Sequence, residues 1–298
     1  TPPIIDMHMH GGYRAGAIRL MPDGSPRRRP CAPAPCEGAP ARISSSAEII
    51  PSSLAEMRKH NVVLGIVTDS PPVPKDERWI FDEWRAADPD RFLFGYFMSH
   101  PSEITLKDLR SLLERDEIQV IGELGFQYRD IAIDDPTLEP IFALAEEFDA
   151  PVLVHLGANG RGATFPIHLG DPILLSKVMR KHPNLRVWVE NAGWPFLEEI
   201  VAVMEKYPNV YVDLSTVTWS RSRRAVHTHL QGLVDLGMSK RIMFGSDQMM
   251  WPETIGVAIE TIESADFLTD EEKRDIFYNN AARFLRLSEE EIARHHGR

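Results

Sequence analysis

The sequence predicts an α/β fold, a (β/α)₈ TIM barrel, and three observations predict it. Short apolar runs alternate with helical stretches along nearly the whole chain. Eight such runs occur, and each reads as near-continuous apolar or β-branched sequence, as strands buried on both faces do. The length of 298 residues suits a single barrel of about 250 residues with modest insertions. A doubly wound open sheet is the competing architecture, but no G-x-G-x-x-G follows any of the runs.

The predicted strands are Ile4–His8, Val62–Thr68, Phe92–Met98, Val120–Leu124, Val152–His155, Arg186–Val189, Val210–Asp213 and Ile242–Gly245. Helical patterns between them cover Leu54–His60, Leu106–Glu114, Leu138–Phe148, Ile173–Lys181, Phe196–Lys206 and Arg224–Leu236. Pro140 falls near the start of the third of these, where a missing N–H costs little. Strands alternating with helices call for a parallel sheet, and eight of them close it. One domain over residues 1–298 accommodates the pattern, with two segments outside the repeat. Residues 11–51 form a proline-rich insertion after the first strand, far longer than an ordinary connection, and a lid or pocket wall is the expectation. Residues 270–298 form a C-terminal helical segment, with Glu271–Leu287 as helix on the barrel exterior and His295 and His296 in a frayed tail.

Composition bounds the function. A net charge of −11 argues against a nucleic-acid partner, and the Arg27-Arg28-Arg29 cluster sits in the proline-rich insertion as a solvated loop. No apolar run approaches the roughly 20 residues of a membrane span. Cys31 and Cys36 could close a disulfide in an oxidising compartment or remain two free thiols; nearby partners for zinc are missing. The chain begins at Thr1, so a removed signal peptide and a periplasmic or secreted location stand beside a cytoplasmic one. The expected partner is a small molecule, with self-assembly left open.

Asp6-Met7-His8-Met9-His10 at the end of the first strand carries most of the chemistry. Side chains two apart on a strand point the same way, so His8 and His10 can converge on one ion. Asp6 shares their parity one step deeper and suits the role of an acceptor that orients a ligand. If the barrel is right, further ligands belong at strand C-terminal ends. Glu123 ends the fourth strand, His155 the fifth, and Asp247 the eighth. Each alone is a weak signal, since a carboxylate after a strand is often a helix cap. Together they form a donor set of imidazoles and carboxylates that suits zinc first, with manganese or iron as alternatives.

From Asp6-Met7-His8-Met9-His10 through His155 and Phe244-Gly245-Ser246-Asp247 to Tyr278-Asn279-Asn280-Ala281-Ala282-Arg283-Phe284-Leu285, the chain resembles the amidohydrolase superfamily. The branch is that of the aminocarboxymuconate-semialdehyde decarboxylase-like "amidohydrolase 2" proteins. The resemblance implies one divalent metal ion held by His8, His10, His155 and Asp247, with Asp247 also moving protons. It implies a bridging position for Glu123, as in two-metal relatives. One departure stands out: Asn191, in Val189-Glu190-Asn191-Ala192-Gly193-Trp194-Pro195, falls where such relatives carry a histidine. Asparagine takes up no proton at neutral pH and is a poor transition-metal ligand, so a second metal is disfavoured. Glu190 is one position off and is expected to face away.

Asn191 could instead donate to a substrate oxygen. Trp194, Trp219 and Trp251 follow the sixth, seventh and eighth strands and suggest an aromatic pocket wall, although rim packing explains them almost as well. Tyr128 and His168, with Gln127, could contact substrate; Asp69 and His100 could back the ligands. Arg221, Arg223 and Arg224 follow the seventh strand, where an arginine could fork onto a substrate carboxylate. His227 and His229 are expected on a helix surface. The function expected is a metal-dependent hydrolase that uses an activated water on an ester, lactone or amide, with Asp247 catalytic. Metal-dependent non-oxidative decarboxylation of an aromatic or dienoic acid is the alternative, and a non-catalytic binding barrel the third reading.

Overall fold

The computed structural model describes residues 2–12, 43, 45–70, 79–159 and 164–297. Cys31, Cys36 and nearly all of the proline-rich insertion lie outside them. Eight parallel strands follow one another around a single sheet in sequence order. They are β1 (Ile4–His10), β2 (Val62–Asp69), β3 (Phe92–Met98), β4 (Val120–Leu124), β5 (Val152–Val154), β6 (Val187–Val189), β7 (Val210–Asp213) and β8 (Ile242–Met243). The Met7 N–H donates to Phe244 O (2.9 Å) and the Asp247 N–H to His8 O (2.7 Å), bringing the two edges of the sheet together. The result is a (β/α)₈ barrel.

Every predicted strand is present; β6 starts one residue later than Arg186, and the other differences lie at the C-terminal ends. His155 and Gly245 leave the ladder that the sequence pattern assigned them, because the chain turns there to place side chains at the barrel mouth. The helices between strands are α1 (Ser46–His60), α2 (Ile80–Ala87), α3 (Leu106–Glu114), α4 (Glu139–Glu147), α5 (Leu175–Lys181) and α6 (Leu197–Lys206). They continue with α7 (Val217–Ser220), α8 (Arg223–Asp235) and α9 (Thr254–Glu263). Helix α1 begins eight residues earlier than predicted, ahead of Pro51. Pro51 lies in the second turn, where its missing N–H leaves the carbonyl of the exposed Ala47 to water.

Two apolar layers hold the barrel. Ile5, Met7, Leu64, Ile66, Val120, Leu153, Trp188 and Met243 fill its interior, and a larger shell packs strands against helices. The C-terminal segment contributes α10 (Asp270–Arg274), a π-helical turn (Asp275–Asn279), α11 (Asn280–Leu285) and α12 (Glu289–His295). It does more than lie on the exterior. Tyr278, Ala281 and Phe284 join the interior cluster, and Arg274 donates to Pro3 O ahead of β1. The segment therefore closes the end of the barrel where the strands begin. The expected frayed tail is also corrected: the hydroxyl of Tyr278 meets His295 Nδ1 at 3.0 Å, and the His296 ring packs 5.0 Å from that of Tyr278.

Candidate metal centre

Beta-strand alternation alone would put Asp6, His8 and His10 on one face. The structure breaks it with a bulge between Asp6 and Met9 against β2. Ile5 and Met7 point into the barrel, and His8 and His10 turn their rings into the mouth, 5.0 Å apart. Asp6 is an acceptor toward the backbone of His8 rather than toward a ring. Its Oδ1 accepts the backbone N–H of His8 (3.2 Å) and of Ser246 (2.8 Å), which ties the end of β1 to the chain after β8.

Glu123 arrives from β4, where Gly122 adopts φ +129 and a Cβ would meet Leu153 O at 2.3 Å. Only glycine fits, and the register shift it permits turns the carboxylate inward. Glu123 Oε2 lies 3.3 Å from His8 Nε2 and 3.5 Å from His10 Nε2. Asp247 Oδ1 lies 2.9 Å from His10 Nε2. His155 stands across the mouth, with Nε2 2.7 Å from the Tyr128 hydroxyl.

The position of Glu190 overturns the expectation that it faces away. Strand β6 stops at Val189, and Asn191 and Ala192 both take left-handed backbone conformations (φ 57 and 50). That turn swings Glu190 into the site, with Oε1 3.1 Å from His155 Nε2 and Oε2 3.4 Å from His8 Nδ1. Asn191 acts from behind it. Its amide donates to Glu190 Oε1 (2.8 Å) and its carbonyl accepts from Thr216 (2.6 Å), so both ends of the side chain are engaged within the protein.

Behind His8, Ser215 Oγ lies 3.0 Å from Nδ1 and donates onward to Asp213, which also accepts from Trp188 Nε1 (3.1 Å). With the serine hydroxyl donating to Asp213, the relay matches the His8 tautomer in which Nδ1–H donates to Ser215. The lone pair of Nε2 is then free to face the mouth, and that buried atom has no hydrogen-bond partner. Nor does Glu190 Oε2.

Electrostatically the mouth is short of positive charge. Among the described residues, the ion-pair partners of Glu123, Glu190, Asp213 and Asp247 are all histidines. Burial pushes Asp6 up to about 7 and Asp213 up to about 8, against the opposing hydrogen bonds from Ser246 and Ser215. Glu190 rises well above the usual carboxylate range through burial and the charges of Glu123, Asp247 and Asp213. Burial lowers His8 and His155 to about 4. His10 goes the other way: burial opposes its charge, but Asp247, Glu123 and Asp69 outweigh it and hold the ring at about 9. A divalent cation fits this donor set. It would satisfy the orphaned His8 Nε2 and Glu190 Oε2 and offset the carboxylates.

The other predicted residues fall into two groups. Tyr128 stands at the mouth, its ring 4.5 Å from that of His155 and 5.8 Å from Phe165. Gln127 is buried and ties the loops together through Gly157 O and Pro166 O. Arg221 reaches across to Asn159 at 2.9 Å. Asp69 contributes charge near His10, whereas His100 turns to Ser102 at 2.8 Å and His168 sits on an exposed turn. Trp219 and Trp251 pack in the strand–helix shell, with Trp219 Nε1 on Ser246 O. Trp194 lines an outward-facing groove of about 450 Å³ against α6 and α8. His229, expected at the surface, is buried there and its Nε2 donates to Ala192 O (3.0 Å).

Fold and site together define a class: parallel barrels with buried histidines and carboxylates gathered where the strands end. The chain belongs to the amidohydrolase family, whose sequence model matches residues 5–287. Members of the family are metal-dependent and include hydrolases and decarboxylases. Over 155 residues the chain is 23% identical to protein fluG of Emericella nidulans, a match covering 47% of this chain and only 18% of that protein. Similar solved structures include a probable 2-pyrone-4,6-dicarboxylic acid hydrolase from Acinetobacter baumannii, with citric acid bound (13% identity, TM-score 0.64, 95% of this chain and 99% of that one). Another is 5-carboxyvanillate decarboxylase LigW from Sphingomonas paucimobilis (15% identity, TM-score 0.62, 97% and 100%).

Proposed function

We propose that the chain is a metal-dependent hydrolase that cleaves an ester, lactone or amide bond of a small molecule. The observation that carries this reading is the His8–His10–Glu123 group with the Asp247 carboxylate 2.9 Å from His10. His8, His10 and Glu123 would hold a divalent ion, with Asp247 and His155 at its margins. Such an ion supplies Lewis-acid polarisation of a carbonyl and lowers the pKa of water. Asp247 is the base: buried beside His10, it takes the proton of the attacking water and returns it to the leaving group. The Tyr128 hydroxyl, at the edge of the mouth, donates to the substrate oxygen on which charge develops. Arg221 and the dicarboxylate named for the hydrolase neighbour make acidic small molecules the first class to screen.

The decarboxylase neighbour keeps lyase chemistry as the second reading on the same residues. The test strips the protein with chelator, restores zinc, manganese or iron singly, and assays esters, lactones, amides and aromatic acids by product. Hydrolysis lost on stripping and regained on restoration supports the proposal. Full hydrolysis in chelator would sink it, and carbon dioxide released from an aromatic acid would replace it with decarboxylation.

A further inference from the structure

Outside the mouth, the groove of about 450 Å³ beside Trp194 has the volume of a small-molecule site, and its walls divide by chemistry. Trp194 and Leu197 supply an apolar face. One end is cationic. Ser222 and Arg224 stand there, at the start of α8, whose first turn carries two arginines and no carboxylate. Arg223 pairs with Glu260, but Arg224 has no ion-pair partner among the described residues. Ser222 Oγ accepts the Ala225 N–H, which leaves the hydroxyl proton free to donate.

The other end is an acceptor. His229 lines the groove, only 6% exposed, with its ring 5.0 Å from that of Trp194. Its Nε2 donates to Ala192 O, so Nδ1 carries a lone pair, and Nδ1 has no hydrogen-bond partner among the described residues. Ser222 and His229 share a helix face at i and i+7 and lie about 10 Å apart along the axis at 1.5 Å per residue. A flat molecule with an anionic head and a hydroxyl tail spans that length.

The walls of the groove also support the mouth. Asn191 and Ala192 are successive non-glycine residues with left-handed backbones, which persist only where the surroundings over-determine them. His229 clamps Ala192 O, and the Trp194 N–H donates to Asn191 O (2.9 Å). Trp194 O in turn accepts the N–H of Ala158 (2.8 Å), three residues beyond His155. The turn so held is the one that swings Glu190 to His155 and His8.

We propose that this groove binds a small aromatic carboxylate with a hydroxyl at its far end, and that its occupation tightens the metal centre. Arg224 and Ser222 take the carboxylate, Trp194 stacks on the ring, and His229 Nδ1 accepts the hydroxyl proton. A ligand that pins Trp194 and His229 braces the turn under Glu190. Linkage then requires a metal ion at the mouth to tighten the groove by the same factor. The coupling rests on reading the mouth as a metal centre; the groove does not.

The experiment titrates the whole chain, stripped of metal, with 4-hydroxybenzoate by calorimetry, and repeats the titration with zinc bound. One saturable site per chain is expected, its dissociation constant falling at least about fivefold with zinc. Benzoate, which lacks the hydroxyl, should bind more weakly. Arg224→Glu should weaken the probe at least about tenfold, and Thr228→Trp, which fills the groove, should abolish binding. Both positions are exposed, so both variants should fold. No saturable binding to the metal-free chain, or binding that both variants leave unchanged, would overturn the site. Self-association of the wild type that Thr228→Trp abolishes, without probe binding, would assign the groove to a second copy and overturn it too. Equal affinity with and without bound zinc would overturn the coupling. A chain that takes up no zinc would overturn the metal centre and the coupling together, and leave the groove standing on the metal-free titration.

Discussion

His8 Nδ1 has a single hydroxyl beside it, and that hydroxyl fixes the tautomer of the ring. With Ser215 donating to Asp213, the tautomer that donates from Nδ1 leaves the Nε2 lone pair facing the mouth. Ser215→Ala should weaken zinc affinity by roughly 10–100-fold in a chelator-competition titration, with the fold intact by circular dichroism. Unchanged affinity would mean that Glu190 or Asp213 orients the ring directly. The residues legible in the sequence were those standing at strand ends: His8, His10, Glu123, His155 and Asp247 all reach the mouth. Ser215 and Glu190 escaped because neither lies where strand parity points. The one available signal was Asn191, a residue that tolerates the left-handed region and so could mark a turn that re-aims its neighbour.

At the scale of elements, the strands were readable because each is buried on both faces, and burial writes a continuous apolar run. Helices α2, α7 and α9 were not. Helix α9 reads Thr-Ile-Gly-Val-Ala-Ile-Glu-Thr-Ile-Glu, rich in β-branched residues that favour strands until tertiary packing buries them. Helix α2 (Ile80–Ala87) has Trp79 at its N-cap, with no side-chain cap to announce it. In α8 the elements were right and one face was wrong. Residues two apart on a helix diverge, so one of His227 and His229 must approach the core face of Val226, Leu230 and Leu233, and it is His229. Burial holds His229 below its ordinary value of 6.5, opposed by its bond to Ala192 O. The sign follows from linkage: the unfolded chain takes up a proton near 6.5 that the folded chain resists, so this stability is complete above that pH and lost as pH falls below it. The Tm of the wild type should therefore drop more steeply from pH 7 to pH 5 than that of His229→Gln. Parallel curves would show that His229 takes its proton without disturbing the turn that it clamps.

Across the whole molecule, the barrel separates chemistry at the strand C-termini from stability at the strand N-termini, where the C-terminal segment enters. Phe284 is a buried part of that seal. Its ring packs 4.8 Å from that of Tyr211 and 5.5 Å from that of Trp188, and Arg186 donates to its carbonyl at 2.6 Å. Phe284→Ala opens a cavity among large side chains that cannot collapse into it and should cost about 3–5 kcal/mol of unfolding free energy, measured by urea denaturation. The separation is not complete, because Trp188 touches Phe284 on one side and donates to Asp213 on the other, two bonds from His8. If the Trp188 ring keeps its place, held by that bond and by the interior packing of Leu153 and Met243, zinc affinity and turnover per folded molecule stay at wild-type values while stability falls. If instead the ring settles into the cavity, Asp213 loses a donor, His8 loses its fixed tautomer, and metal affinity declines together with stability. The rigid packing around Trp188 favours the first outcome. A chelator titration on the folded variant, run beside the denaturation curve, separates them.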